Sequence, residues 1–152
     1  MFAYLVVRVF LVPPVHDEAR MIRFYIDTGN YLPPHAQWDA GNHLLVTMVG
    51  HWATTLFGHA LWTVRLFPLL TYPLYAWGGL MLLREVKDLR LRWAFGTALL
   101  AMPFLHEYFA LFRGYGPALA FEVLGVLWLI RAMKSAERRP LFFAFFFLAL
   151  GV

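Results

Sequence analysis

Two adjacent carboxylates, Asp17 and Glu18, stand in the run His16-Asp17-Glu18-Ala19-Arg20, directly after Pro13-Pro14 and between apolar segments. Charge beside an apolar medium is costly unless it is solvated or used. Asp17 reads as a catalytic base, with Glu18 as its neighbouring carboxylate. The plainer reading is a helix cap, because Asp and Glu favour first turns. Four further features join them. Asn42-His43 opens a helix whose N-terminus favours an anion. Arg65 and Arg113 supply permanent positive charge where a lipid phosphate would lie, and Tyr115 offers a ring for stacking on a sugar or a prenyl chain. Arg65 also suits a simpler role, with its stem on apolar surface and its head in water. Arg113-Gly114-Tyr115-Gly116 also reads as a plain turn in which glycine permits unusual backbone angles.

Other chemistries find little here. His43 and His51 are eight residues apart, not the three or four that place two ligands on one metal, so no protein zinc site is expected. His16 with Asp17 offers a divalent ion only two ligands. The chain has no cysteine, hence neither a disulfide framework nor a thiolate site. No phosphate-cradling glycine loop, Ser-His-Asp set or nucleic-acid motif appears.

The elements that must position these residues are mostly apolar. Of the 152 residues, 61% are hydrophobic and only 14% charged, against about 25% charged in soluble domains. That composition points to an all-α polytopic membrane protein with an outer loop carrying interfacial helices. Met1 to Val12 reads as a partial span, since about 20 residues are needed to cross a bilayer. It lacks the basic start and cleavage site of a secretory signal. Residues 13–60 form a polar stretch in which Asp17, Glu18, Asp27 and Asp39 outnumber Arg20 and Arg23. Within it, Asp17 to Thr28 reads as a short helix, with Gly29-Asn30 and Pro33-Pro34 as the stop.

A second helix is expected from about Asn42 to Phe57. Leu44, Leu45, Met48, Val49, Trp52 and Leu56 form its greasy stripe, and His43, Thr47, His51 and Thr54 or Thr55 its wet face. Such a helix lies in the interface. Spans follow at 61–83, with Pro68 and Pro73 inside, at 93–111, and at 117–130, which carries Glu122. A partial span runs over 140–152. Both ends read as interrupted, as in a fragment of a longer protein. The connections at 84–92 and 131–139 carry net charges of +2 and +3, the pattern of cytoplasmic loops. One topology places Asp17, His43, Glu107 and Arg113 together on the outer side.

This order of parts resembles the GT-C superfamily of integral membrane glycosyltransferases. His16-Asp17-Glu18-Ala19 is similar to the acidic motif of their first outer loop. Asn42-His43-Leu44-Leu45, Leu56-Phe57-Gly58 and Arg65-Leu66-Phe67-Pro68 resemble the block that follows. Arg113-Gly114-Tyr115-Gly116 resembles the outer turn of the bacterial branch that includes protein mannosyltransferases and aminoarabinose transferases. The resemblance implies inverting transfer of a sugar from a polyprenyl-phosphate donor to an acceptor, whether lipid, glycan or protein. Asp17 would be the base, and His43, Arg65 and Arg113 would face the leaving phosphate. Glu18 would orient the acceptor or hold Arg20. It implies the plasma (inner) membrane of a bacterium, with the catalytic loop on the periplasmic side. No cofactor is implied, although oligosaccharyl-transferring relatives use a metal. Membrane lipids are the expected surroundings, and no nucleic acid is expected. The alternative is a non-catalytic membrane module, a lipid-binding accessory subunit or part of a transporter.

Overall fold

The computed structural model describes residues 1–32, 34–37, 42–135 and 137–151, and every regular element among them is helical. Pro33, Asp39 and Val152, which entered the expectations above, lie outside the described residues. The helices are α1 (Phe2–Leu11), α2 (His16–Met21, continued by a π-helical turn over Ile22–Ile26), α3 (Leu44–Phe57), α4 (Leu61–Glu85), α5 (Leu89–Leu100), α6 (Pro103–Ala110), α7 (Tyr115–Lys134) and α8 (Arg138–Leu150). Two of them, α4 and α7, are long and apolar enough to cross a membrane.

α4 is the central post. It runs uninterrupted through Pro68 and Pro73. α1 lies antiparallel along its first half, with Val9 and Val12 beside Arg65 and the Phe2 ring stacked on Tyr72. α7 runs parallel to it and packs close, because Gly78 admits Val123 and Leu124 to within touching distance of the backbone. α8 returns along α7, and Gly125 leaves the space that Leu148 fills.

The expected span over 93–111 is two helices rather than one. α5 ends at Leu100, and Pro103 opens α6 at its first helical position. Proline cannot donate the helical hydrogen bond and its ring obstructs the preceding turn, so the chain restarts there. Together α5 and α6 still run antiparallel to α4: the Tyr75 hydroxyl donates to Leu99 O and Phe109 packs against Tyr75.

The buried residues form two clusters. The larger lies between α1, α4, α6 and α7 around Leu5, Val9, Tyr75, Phe109 and Leu127. The smaller joins Met21, Tyr25 and Ile26 of α2 to Val46, Val64 and Phe112. The π-helical turn closes with Asp27 N donating to Ile22 O at 2.9 Å, and both Tyr25 and Ile26 reach this cluster.

The polar face of α3, expected to be wet, is packed inward in part: Val46, Thr47, Gly50 and Thr54 are its buried residues, whereas Leu44, Trp52 and Leu56 of the greasy stripe are exposed. Two physical facts let that face pack inward. The threonines satisfy themselves locally, Thr47 Oγ1 donating to Asn42 Oδ1 at 2.9 Å and Thr54 Oγ1 to His51 O at 2.8 Å, and a hydrogen-bonded hydroxyl is inexpensive to bury. Gly50 meanwhile lets the Phe112 ring approach to where a Cβ would stand 2.8 Å from it.

Candidate functional site

At the Asp17 end of α4 the two clusters are joined by one buried ion pair. Glu18 and Arg65 are both fully buried. Arg65 Nε donates to Glu18 Oε1 at 2.8 Å and Nη2 to Oε2 at 2.6 Å. This is the side-by-side geometry in which arginine binds a carboxylate best. The remaining lone pairs and protons are also used. Glu18 accepts from the backbone N–H of Phe112 and from that of Val15. Arg65 donates to the carbonyls of Val9, Val12 and Pro13. The pair therefore fastens the end of α1, the start of α2, α4 and the α6–α7 connection in one place.

Arg65 is thus no snorkelling anchor: its guanidinium points inward to Glu18. Glu18 holds Arg65 and not Arg20, whose guanidinium carbon lies 5.9 Å from the Phe24 ring centre.

Asp17 leaves the helix on a different side. Its side chain is 61% exposed, and its Oδ2 lies 2.6 Å from Arg113 Nη2 in an ion pair. His16, almost wholly exposed, lies 3.6 Å away. Arg113 is three-quarters covered, and its Nε is buried with no hydrogen-bond partner among the described residues. A guanidinium so placed has one arm on Asp17 and unused hydrogen-bonding capacity beside it.

The next residues of the chain bring His43 and Tyr115 to the same patch. The His43 ring lies so close over Gly114 that a Cβ there would stand 1.9 Å from His43 Cγ. It meets Tyr115 edge-on at 5.4 Å between ring centres. Gly116 plays the same part for Tyr108, whose carbonyl oxygen would be 2.4 Å from an added Cβ. Neither Gly114 nor Gly116 has positive φ. These glycines therefore supply room for neighbours, not the unusual backbone angles expected of a turn. Burial lowers the His43 pKa below its ordinary 6.5, so this ring favours the neutral form.

Asn42 does not present its side chain to the patch. Its Nδ2 donates to Tyr31 O at 3.1 Å and its Oδ1 accepts from Thr47. Asn42 thereby pins the loop that delivers His43.

Of the seven candidates, Asp17 pairs with Arg113, His43 packs on Gly114 and Tyr115 next along the chain, and Glu18, Arg65 and Asn42 hold the surrounding backbone. Among the described residues no cluster of His, Cys, Asp or Glu has the make-up of a metal site. A cavity of about 570 Å³ lies on another side of α2, with Arg23, Asp27 and His59 among its lining residues. Sequence spacing gave no sign of it, because His59 belongs to the α3–α4 connection and comes within 3.8 Å of Asp27 only in the fold. No family model, curated protein or solved structure matches the chain.

Proposed function

We propose that this chain forms the catalytic face of a polytopic membrane glycosyltransferase that takes a sugar from a polyprenyl-phosphate donor. The observation that carries the reading is the Asp17–Arg113 pair. An exposed carboxylate and a guanidinium meet at 2.6 Å on a helix immobilised by the buried Glu18–Arg65 clamp. The membrane setting is supported by α4 and α7, each long and apolar enough to cross. It is supported too by the gathering of both basic connections at the far end, where Lys134 pairs with Glu85. Basic loops mark the cytoplasmic side, which turns the Asp17 patch outward, toward the periplasm of a bacterial inner membrane.

In this reading Asp17 takes the proton of the acceptor hydroxyl or amine as its oxygen or nitrogen bonds to the anomeric carbon. The bond from that carbon to the phosphate oxygen breaks, and polyprenyl phosphate leaves with the electron pair. Arg113 receives its growing negative charge. The phosphate competes with Asp17 for Arg113, which leaves the Asp17 carboxylate free to meet the acceptor. His43 serves as a neutral hydrogen-bonding group, and Tyr115 as an apolar wall for the sugar. Glu18 and Arg65 act as positioning residues and touch no substrate. No metal is invoked.

The test uses membranes carrying the protein and supplied with polyprenyl-phosphate-linked sugars, with released polyprenyl phosphate as the readout. Loss of a general base typically costs about 10²–10⁴-fold, so Asp17→Asn should lower release by that factor while the protein keeps its unfolding temperature. Equal release from Asp17→Asn, or none above membranes lacking the protein, overturns the reading. One observation favours a non-catalytic transport module instead. Glu122 is exposed on α7, well inside the helix, with no ion-pair or hydrogen-bond partner among the described residues, and transporters keep such groups near the bilayer midplane.

A further inference from the structure

The end of α4 opposite Asp17 carries a groove that sugar transfer does not use. It lies between the last turns of α4 and the face of α5, has a volume of about 510 Å³, and is lined chiefly by Leu80, Leu83, Leu89, Trp93, Gly96 and Leu100. α5 buries none of its twelve residues, and Trp93 is 72% exposed. A helix this apolar on its open sides needs a covering.

The charges around the groove decide what kind. Both local carboxylates are engaged: Glu85 pairs with Lys134, and Asp88 caps α5 by accepting from Leu91 N at 2.9 Å. Arg84, Lys87 and Arg90 are exposed and have no carboxylate partner among the described residues. Arg92 also lines the groove, and its Nε and Nη2 both donate to Val86 O, at 2.9 and 2.7 Å. Val86 caps the C-terminus of α4, so this guanidinium is fixed in place where the groove meets the basic connection.

We propose that the groove binds one anionic phospholipid, an acyl chain lying along Leu80, Leu83, Trp93 and Leu100 and the phosphate at Lys87, Arg90 and Arg92. Size argues against a protein occupant, since about one turn of an α-helix, a cylinder 10–12 Å across with a 5.4 Å pitch, would fill the space. It falls within the range of small-ligand pockets, roughly 300–1,000 Å³. Tryptophan beside basic residues is also the composition of a membrane interface. The inference rests on the membrane setting proposed above and is independent of the transfer chemistry.

The full-length protein in a neutral detergent would be given equal amounts of phosphatidylglycerol and phosphatidylcholine. Native mass spectrometry then counts the lipid it retains. Phosphatidylglycerol should be retained preferentially, and Lys87→Gln/Arg90→Gln should weaken that retention by roughly five-fold per charge removed. Thr97→Trp, placed at an exposed groove position, should exclude both lipids. Unchanged preference in the double variant overturns the proposal, as does unchanged retention with the groove filled. Displacement of phosphatidylglycerol by inorganic phosphate alone would mean that a free anion is the ligand, which also overturns it. A protein that does not partition into liposomes removes the membrane setting and the groove together. One that partitions yet shows no lipid preference removes the groove alone.

Discussion

Asp17 and Glu18 differ by one methylene and one place in the chain, yet Asp17 is 61% exposed and Glu18 is fully buried. An α-helix turns about 100° per residue, so the two carboxylates leave α2 on different sides. Glu18 shares its side with Met21 and Tyr25, which are core residues. Asp17 shares its side with Arg20 and Phe24, which are exposed. Each acquires an arginine from far along the chain, but on opposite terms. Glu18 and Arg65 pair away from water, and backbone groups complete both shells. Asp17 and Arg113 meet at the exposed surface. The comparison separates, within one dipeptide, a carboxylate whose lone pairs are used in holding the fold from a solvated one that the proposed function assigns to proton transfer.

The largest effect expected from breaking this contrast is on the buried side. Glu18→Gln leaves the Arg65 charge uncompensated, and removing one partner of a buried pair costs about 3–5 kcal/mol. The denaturant midpoint in detergent should fall accordingly, and α1 should become protease-sensitive as its end is released. Next comes Gly114→Ala, whose Cβ would displace the His43 ring. Overpacking of this kind costs about 1–3 kcal/mol, measurable in the same unfolding experiment.

A smaller effect follows from pH. Burial lowers the His43 pKa, so the unfolded chain binds this proton more readily between the folded value and the ordinary 6.5. Stability from His43 is therefore complete above 6.5 and declines as the pH falls from there toward the lower folded value. Midpoints of the wild type and His43→Gln, compared across that range, should converge on acidification. Should the difference stay constant with pH, His43 is not held neutral by the fold.

The smallest effect on stability belongs to Asp17→Asn, because exposed ion pairs are worth about 0.2–1 kcal/mol. Its unfolding midpoint should barely move, while the polyprenyl phosphate release expected under the proposed function should collapse. A large stability loss would place Asp17 with Glu18 as a structural residue and erase the contrast.

Much of the helical layout was legible in the chain. Apolar runs bounded by Gly58, the 84–92 charges and the 131–139 charges locate α4 and α7 to within a few residues, because length, hydropathy and breakers are local properties. Pro103 was also in plain view, and weighing it against the apolar run would have divided the 93–111 segment. The face that α3 buries was not legible. Periodicity locates the apolar stripe but does not say that the polar face, expected to be wet, packs on protein. Here Thr47 and Thr54 bond their own backbone, and Leu56 and Trp52 are left exposed.

The site divides in the same way. Residue types and local order singled out Asp17, Glu18, His43, Arg65, Arg113 and Tyr115 as the groups with chemistry to offer, because charge beside apolar sequence stands out without any structure. Which arginine goes to which carboxylate was decided only by tertiary structure. Arg65 is 47 residues from Glu18, and nothing local distinguishes it from Arg113 as a partner. The choice follows from packing: α4 presents Arg65 to the closed side of α2, where chain carbonyls complete its shell, and the short α6–α7 connection presents Arg113 to the open side.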